Sequence, residues 1–312
     1  MGKYSHNLPQ MEGGLFLTDG GLETTLIFDN GFDLPEFAAF PLLDTEEGFR
    51  ALYNYYLNYV QIACDNGMGF VLESPTYKAS PNWARALGVS DDDLRRLNHK
   101  SIEMLKNIRE KFETPESRFV ISGNLGPAGD GYNPDQLLSV QQAREYHSVQ
   151  IGHMAEVGVD MVAAFTLTHA EEAAGVVLAA RDHDLPVAIS FTLETDGRLP
   201  SGQSLREAIE YVDSKTGNGP AYYMINCAHP THFDFILEGG PWLDRIRGLR
   251  TNASTKSHEE LEASEELDAG DPQDLGVRHV DLKDRLSNLA VVGGCCGTDH
   301  RHVAEICRNL QG

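Results

Sequence analysis

Two cysteine-bearing stretches of the sequence contain the residue types best suited to hold a soft metal ion. Near the end of the chain, a β-branched run enters Gly293-Gly294-Cys295-Cys296-Gly297. Side chains of adjacent residues on extended backbone point apart, so Cys295 and Cys296 do not readily form a disulfide with each other. The glycines permit a bend that brings both sulfurs to one ion. Because Cys227 follows another apolar run, Tyr222–Asn226, three thiolates at the ends of two strands predict a zinc site.

The ligand set Cys227, Cys295 and Cys296 indicates the kind of reaction to expect. Three thiolates leave one coordination position of zinc open, and because they donate electrons strongly, the site favours binding a fourth thiol over activating water. A thiol bound in that way is ionised and remains nucleophilic. The expected reaction is therefore attack of a substrate sulfur on an electrophilic carbon. No side chain is predicted to act as a catalytic group beyond this zinc-activated substrate thiolate.

The composition of the chain is that of a globular protein. It has 312 residues, of which 41% are hydrophobic and 23% charged, enough to bury a sizeable core. No apolar run approaches the roughly 20 residues that span a bilayer, and the segment before Pro9 lacks the apolar region of a secretory signal. Five cysteines, an odd number with two adjacent, fit reduced thiols better than a disulfide framework. These features predict a cytoplasmic protein.

The charge of the chain limits the partners to expect. The formal net charge is −22, from 47 acidic and 25 basic residues. Such a charge repels phosphate backbones and anionic lipids, so neither nucleic acid nor a membrane is predicted as a partner, whereas a cationic small molecule is favoured. Residues 257–274 contain eight acidic side chains and no Lys or Arg, a pattern that predicts a solvated helix face and loop.

The elements that must position the cysteines alternate between strand and helix along the whole chain. Amphipathic helical sequence, such as Asp91–Phe112 and a helix from about Pro134 to Val157, separates most of the strands. No internal repeat or linker interrupts this order. Eight βα units in a chain of this size predict an α/β fold, a single-domain (β/α)8 TIM barrel over residues 1–312. The predicted strands are Leu15–Leu17, Gly69–Glu73, Phe119–Ser122, Val159–Phe165, Pro186–Thr192, Tyr222–Asn226, Ile246–Arg250 and a run that begins at Val291.

Polar residues collect just after the predicted strands, where a barrel has its C-terminal mouth. Cys227 ends the sixth strand and the cysteine pair ends the eighth. Because alternate strands contribute to the same interior layer, the three sulfurs are expected to converge over one rim. The strand-end residues are Asp19, Glu73, Asn124, Thr166, Glu194, Cys227, Asn252 and Cys295.

These motifs resemble the homocysteine S-methyltransferase family. The resemblance rests on Asn226-Cys227, on Gly293-Gly294-Cys295-Cys296-Gly297-Thr298 and on Asp19-Gly20-Gly21. Ser190-Phe191-Thr192 and Ser201-Gly202 extend it over nearly the whole chain. The resemblance implies a (β/α)8 barrel, a Zn²⁺ ion held by the three cysteines, and transfer of a methyl group to the thiol of homocysteine to give methionine.

The resemblance also implies substrate contacts. Asp19 is expected to hold the amino group of the acceptor, and the backbone amides of Gly20 and Gly21 its carboxylate. Asn226 is also predicted to be a substrate-binding residue. Its side chain would orient the neighbouring backbone or the thiolate by a hydrogen bond.

The fourth strand departs from the family pattern. Members typically end this strand with a glutamate, followed by threonine, that binds the ammonium group of the acceptor, but here Phe165 precedes Thr166. Either another carboxylate compensates, with Glu73 the best candidate and Glu194 also at a strand end, or the acceptor is not an ordinary α-amino acid.

The methyl donor and the reaction class stay open at this point. S-methylmethionine, S-adenosylmethionine or a betaine-like compound would each supply a sulfonium or ammonium methyl group, and Tyr77 could attract such a cation or simply pack. One alternative is a zinc hydrolase or lyase on the same barrel with Glu73 or His229 as base. Another is a non-catalytic zinc or redox sensor that uses Cys295 and Cys296.

Overall fold

The computed structural model describes residues 1–132, 137–264 and 266–311. Its eight strands are all parallel and form a closed barrel in chain order, with the eighth strand paired to the first. The predicted (β/α)8 fold is confirmed, and every predicted strand is present; one domain over residues 1–312 stays a prediction. The strands are β1 Phe16–Leu17, β2 Gly69–Glu73, β3 Phe119–Leu125, β4 Met161–Leu167, β5 Val187–Thr192, β6 Tyr222–Asn226, β7 Ile246–Thr251 and β8 Val291–Gly294.

Helices connect most of the strands and surround the barrel. The helix predicted from about Pro134 begins at Val140, and its expected first residues 134–136 lie outside the described residues. In the described ranges, no helix is both long and apolar enough to cross a membrane. The helices are α1 Leu22–Thr24, α2 Glu46–Asp65, α3 Pro81–Ala86, α4 Asp91–Phe112, α5 Val140–Val157, α6 Ala170–Asp182, α7 Leu205–Thr216, α8 His258–Glu262, α9 Pro272–Arg285 and α10 His300–Gln311.

Local sequence explains where these helices begin and end. The hydroxyl of Thr45 accepts a hydrogen bond of 3.0 Å from the backbone amide of Gly48 and so caps α2. Ser139 and Gln142 form a capping box at the start of α5. That helix ends at Gly158, whose φ of 80° lies in the left-handed region that glycine adopts without strain.

Alternate residues of each strand face the barrel interior, because side chains on a strand alternate between its two faces. The N-terminal end of the interior is closed by Gln10, which donates hydrogen bonds to Met161 Sδ (3.2 Å) and Tyr222 Oη (3.4 Å). Towards the C-terminal mouth, the same alternation places Glu73 two residues after the inward-facing Val71. The inward apolar cluster consists of Leu8, Phe16, Val71, Val120, Met161, Ala163, Phe165, Ala188, Tyr222, Met224 and Val291.

Candidate active site

The C-terminal ends of the strands border a cavity of about 450 Å³. All the predicted site residues line it: Asp19, Gly20, Gly21, Glu73, Asn226, Cys227, Cys295 and Cys296. Tyr77 lines it as well. Two other candidates lie elsewhere. Glu194 faces His258, with its Oε1 atom 3.2 Å from Nδ1, and His229 contacts the hydroxyl of Thr231 at 2.8 Å.

The three predicted ligand sulfurs converge. The Sγ atoms of Cys227, Cys295 and Cys296 all lie within 4.8 Å of one another, and no further residue joins this group in the described part of the chain. Only β7 separates the two strands that deliver them. Three soft donors this close fit a single zinc ion.

The structure joins Cys227 and Cys295 in a disulfide, while Cys296 is free. The expectation that all cysteines are reduced thiols is therefore not met at this pair, whose sulfurs are close enough to bond. Metal ligands must be thiolates, so the disulfide and the metal-bound state are alternative forms of the same cluster.

Unusual backbone conformations support the cluster. Cys227 and Thr166 have φ values of 51° and 58°, in the left-handed region that non-glycine residues rarely adopt. Such strained residues occur most often at functional sites. The two meet, because the Thr166 hydroxyl lies 3.9 Å from Cys227 Sγ.

Asn226 uses its whole side-chain amide to organise this corner of the site. Its Oδ1 atom accepts hydrogen bonds from the Thr166 amide (2.9 Å) and the Ser190 hydroxyl (2.6 Å). Its Nδ2 atom donates to Thr166 Oγ1 at 2.9 Å and lies 3.9 Å from Cys295 Sγ. Asn226 therefore orients a sulfur and the strained backbone, and its direct contact with a substrate stays a prediction.

Two residues that the sequence analysis did not identify lie beside the sulfurs. Tyr132 Oη is 4.0 Å from Cys296 Sγ, and the Tyr132 ring packs on His258 with 4.2 Å between the ring centroids. His258 Nε2 lies 2.5 Å from the carbonyl oxygen of Cys227. His258 comes from the acidic stretch that was expected to be a solvated face and loop. The described charged residues of this stretch are largely exposed, but Leu261 and Leu267 turn inward and line the cavity.

The glycine turn after β1 packs directly on the loop that carries the cysteine pair. A Cβ atom on Gly21 would lie 2.7 Å from the carbonyl oxygen of Cys295. The Gly21 amide donates a hydrogen bond to the carbonyl of Thr298 at 3.0 Å. This amide is thus already engaged, and a carboxylate cradle formed by Gly20 and Gly21 stays a prediction.

A buried ion pair, also missed by the sequence analysis, forms the floor of the cavity. Arg250 on β7 lies 2.9 Å from the Asp19 carboxylate and donates to the carbonyl oxygens of Gly20 and Gly294, each at 3.0 Å. Its guanidinium carbon is 5.1 Å from the ring centroid of Phe165. The one available signal was an arginine at an inward position of a short buried strand.

Asp19 is largely occupied by the protein itself. In addition to Arg250, the hydroxyls of Tyr55 and Thr18 donate to its carboxylate, each at 2.9 Å. These three donors leave Asp19 less available to an incoming ammonium group than the sequence analysis expected, and this role stays a prediction.

Glu73, by contrast, is buried with a free acceptor. Only 3% of its surface is exposed, and its Oε2 atom has no hydrogen-bond partner among the described residues. Burial raises the pKa of Glu73 to about 8, an effect that the charge of Arg250 partly opposes. The Oδ1 atoms of Asn124 and Asn252, on the same cavity, also lack partners in the described structure. Buried acceptors are normally satisfied, so the cavity is suited to a ligand with N–H donors.

The pKa values of the Cys296 thiol and the Glu23 carboxyl, which also line the cavity, are raised as well. Burial raises the pKa of Cys296 to about 11, and the charge of Glu23 adds to the shift. Burial likewise raises the pKa of Glu23 to about 7. The Cys296 thiol consequently needs a nearby positive charge, such as a metal ion, in order to ionise at neutral pH.

Replacing Glu73 with glutamine is expected to stabilise the protein progressively, relative to the wild type, as the pH rises from about 5 to about 8. In the folded protein this carboxyl has a pKa of about 8, whereas in the unfolded chain its pKa is about 4.3. Between these values the folded state holds a proton that the unfolded state has released, so the wild type loses up to about 1.4 kcal/mol per pH unit. The free energy of unfolding of both proteins, measured in urea across this pH range, gives the size of the effect. If the two free energies changed with pH in parallel, the prediction would be wrong.

Comparison with known proteins gives one consistent result. The family model for homocysteine S-methyltransferase matches residues 16–310. Homocysteine S-methyltransferase 1 of Brassica oleracea var. italica is 23% identical over 320 residues, covering 96% of this chain and 94% of the relative. Homocysteine S-methyltransferase 2 of Zea mays is 26% identical over 320 residues, covering 96% of this chain and 90% of the relative. The similarity therefore extends over nearly the whole chain.

Solved structures share the fold. The metallated form of the homocysteine methyltransferase MmuM from Escherichia coli aligns with a TM-score of 0.73 at 18% identity, covering 95% of this chain and 96% of MmuM. The oxidized form of the same protein aligns with a TM-score of 0.72 at 20% identity, covering 94% of each chain. At these identities the likeness shows the barrel architecture alone.

Proposed function

The chain belongs to the homocysteine S-methyltransferase family, a family of methyltransferase enzymes, and from this premise we propose that it methylates the thiol of homocysteine to give methionine. The observation that carries the proposal is the convergence of three cysteine sulfurs within 4.8 Å at the mouth of the barrel. Both the acceptor and the donor would be small molecules. Neither nucleic acid nor a membrane is proposed as a partner.

Cys227, Cys295 and Cys296, once reduced, would hold a zinc ion. When bound, the ion supplies the positive charge that lets an acceptor thiol ionise at neutral pH while remaining nucleophilic. Thr166 and Asn226 keep the sulfurs in place through their contacts at 3.9 Å. Because this chemistry requires thiolates, a reducing compartment such as the cytoplasm is the proposed location.

The acceptor would place its ammonium group against Glu73. This carboxyl is buried, lacks a partner at Oε2 and lies on the same cavity as the sulfurs. An ammonium group would pair with it and lower its pKa, so that Glu73 compensates for the phenylalanine at position 165. Asp19, Gly20 and Gly21 line the cavity and are proposed as further contacts of the acceptor.

The methyl group would move in a single displacement. The electron pair of the acceptor thiolate forms the new sulfur–carbon bond while the bond between the methyl carbon and the donor breaks. Its electrons remain on the leaving group, which departs as a neutral thioether or tertiary amine. The chain contributes position and shelter, because Tyr77, Leu261 and Leu267 line the cavity and exclude water. S-methylmethionine, S-adenosylmethionine and a betaine-like donor all meet this requirement.

The test offers the reduced, zinc-loaded protein L-homocysteine together with each of these donors. We expect methionine to appear with at least one donor, in proportion to enzyme, when the products are measured by mass spectrometry. A hydrolase would consume a donor without added thiol, and a sensor would turn over no donor. Either of these results, or a failure of homocysteine with every donor while another thiol is methylated, would overturn the proposed acceptor chemistry.

A further inference from the structure

Glu23 lines the same cavity as the three cysteine sulfurs and has no role in the mechanism above. It occupies the middle of α1, the single helical turn that follows the glycine turn, and it lines the cavity. Contacts on both sides of it fix this turn to the cysteine loop. The Gly21 amide donates to the Thr298 carbonyl at 3.0 Å, and the Gly297 amide donates to Thr24 Oγ1 at 3.2 Å. Glu23 and Cys296 therefore lie on two segments that are packed together, and both border the same cavity.

Glu23 has no close cationic partner in the described part of the chain. Across the described ranges, Glu23 forms no ion pair within 4.0 Å. Two cationic side chains, Lys78 and Arg250, line the cavity and act on Glu23 only from beyond ion-pair distance. The ammonium group of Lys78 lies 3.5 Å from the ring centroid of Trp83, and Arg250 is paired with Asp19.

The cavity as a whole is built for a ligand of positive charge. Seven of its described lining residues carry a carboxyl group, against the two that carry an ammonium or guanidinium group. An independent observation points to a ligand: Glu73 and Asn252 are 97% and 98% buried, and each presents an acceptor atom without a partner. The acidic residues are Asp19, Glu23, Glu73, Asp130, Glu262, Glu266 and Asp268.

Aromatic rings also line the cavity. Tyr132 approaches the Cys296 thiol to 4.0 Å through its hydroxyl, and Tyr77 and Phe37 line the same cavity. A sulfonium or quaternary ammonium group has no N–H donor, so it forms no N–H hydrogen bond with the free acceptors of Glu73 and Asn252. It is recognised instead by aromatic faces and by an unpaired negative charge.

We propose that Glu23 recognises the positive charge of the methyl donor, so that the cavity selects a sulfonium or quaternary ammonium donor over an uncharged molecule of the same shape. This inference rests on the methyl transfer proposed above and assigns its two cationic groups to different carboxyls. Glu73 receives the ammonium group of the acceptor, and Glu23 receives the charged centre of the donor.

The charge balance of the reaction defines how Glu23 acts. The thiolate loses its negative charge as the new sulfur–carbon bond forms, and the donor loses its positive charge as its electron pair stays on the leaving group. Glu23 attracts the donor fully but the transition state only in part, and it no longer attracts the neutral product. Loss of Glu23 should therefore raise the KM of the donor, and it should raise kcat modestly, because Glu23 stabilises the bound donor more than the transition state.

The test compares binding of charged donors and uncharged carbon isosteres to the reduced, zinc-loaded protein by calorimetry. S-methylmethionine is paired with homoleucine, and dimethylsulfoniopropionate with 4-methylpentanoate, which replace the sulfonium by a CH group. At pH 8, the wild type is expected to prefer at least one sulfonium by about tenfold or more. Glu23→Gln should bring that ratio close to one and raise the donor KM by about tenfold, with kcat within about threefold.

Glu259→Gln is the matched control, because it removes one negative charge from an exposed residue of α8 that is not among the residues lining the cavity. It should keep the wild-type preference, since exposed charges are screened. Glu23→Asp, which retains the charge, should restore most of the preference and covers the case in which the glutamine variant does not fold. The role of Glu23 would be overturned if the wild type showed no preference for a sulfonium over its isostere. It would also be overturned if Glu23→Gln kept the wild-type preference. A sulfonium preference in a protein that methylates no thiol would instead refute the proposed function alone.

Discussion

Replacing Cys296 with alanine is expected to abolish stoichiometric zinc binding and to lower kcat/KM for methyl transfer by about 1000-fold or more, equivalent to about 4 kcal/mol. The structure brings three sulfurs within 4.8 Å of one another and adds no fourth protein ligand among the described residues. Two cysteines alone hold zinc weakly, and without the metal a buried acceptor thiol stays protonated. Zinc content by mass spectrometry and methyl transfer should therefore be lost together.

Cys64→Ala provides the matched control for this experiment. Cys64 lies on α2, where its thiol is 3.7 Å from the carbonyl oxygen of Phe112, outside the residues that line the cavity. This variant should keep one zinc per chain and nearly all of its activity. If Cys296→Ala retained both zinc and turnover, Cys296 would not be a ligand, and the assignment of the three-cysteine centre would fail.

The barrel and the meeting of the cysteines could be predicted because both follow from simple periodicities. Short apolar strands such as Gly69–Glu73 and Tyr222–Asn226 are bounded by polar residues, and the structure has these two strands with the predicted bounds. In a parallel barrel every strand ends at the same mouth, so the strand positions of Cys227 and Cys295 were enough to bring their sulfurs together.

The remaining features of the site depend on contacts between distant segments, and no local pattern encodes these. His258 reaches the carbonyl of Cys227 from an acidic stretch that resembles an ordinary solvated face. The hydrogen bond from the Gly21 amide to the Thr298 carbonyl forms only because two loops stack on each other. Likewise, the left-handed backbone of Thr166 depends on the hydrogen bond between its amide and Asn226. The substitution at position 165 was visible in the sequence, but its structural consequence required knowing that Arg250 lies over the ring.

Arg250→Met is expected to destabilise the protein by about 3–5 kcal/mol. Arg250 and Asp19 are 6% and 2% exposed and lie 2.9 Å apart, so removal of the guanidinium leaves a buried carboxylate without its counter-charge. The carbonyl oxygens of Gly20 and Gly294 lose a hydrogen-bond donor in the same step. The free energy of unfolding, measured in urea at pH 7, gives the size of the loss.

The double variant Asp19→Asn with Arg250→Met separates loss of the ion pair from loss of packing. If the cost arises mainly from the uncompensated charge, the neutral asparagine should recover part of the stability, and the double variant should be more stable than Arg250→Met alone. Arg206→Met, at the exposed pair Arg206–Glu210 on α7, should cost less than about 0.5 kcal/mol because solvent screens that pair. A loss in Arg250→Met as small as in Arg206→Met would mean that the buried charge of Asp19 does not depend on Arg250, and that the ion pair contributes little to stability.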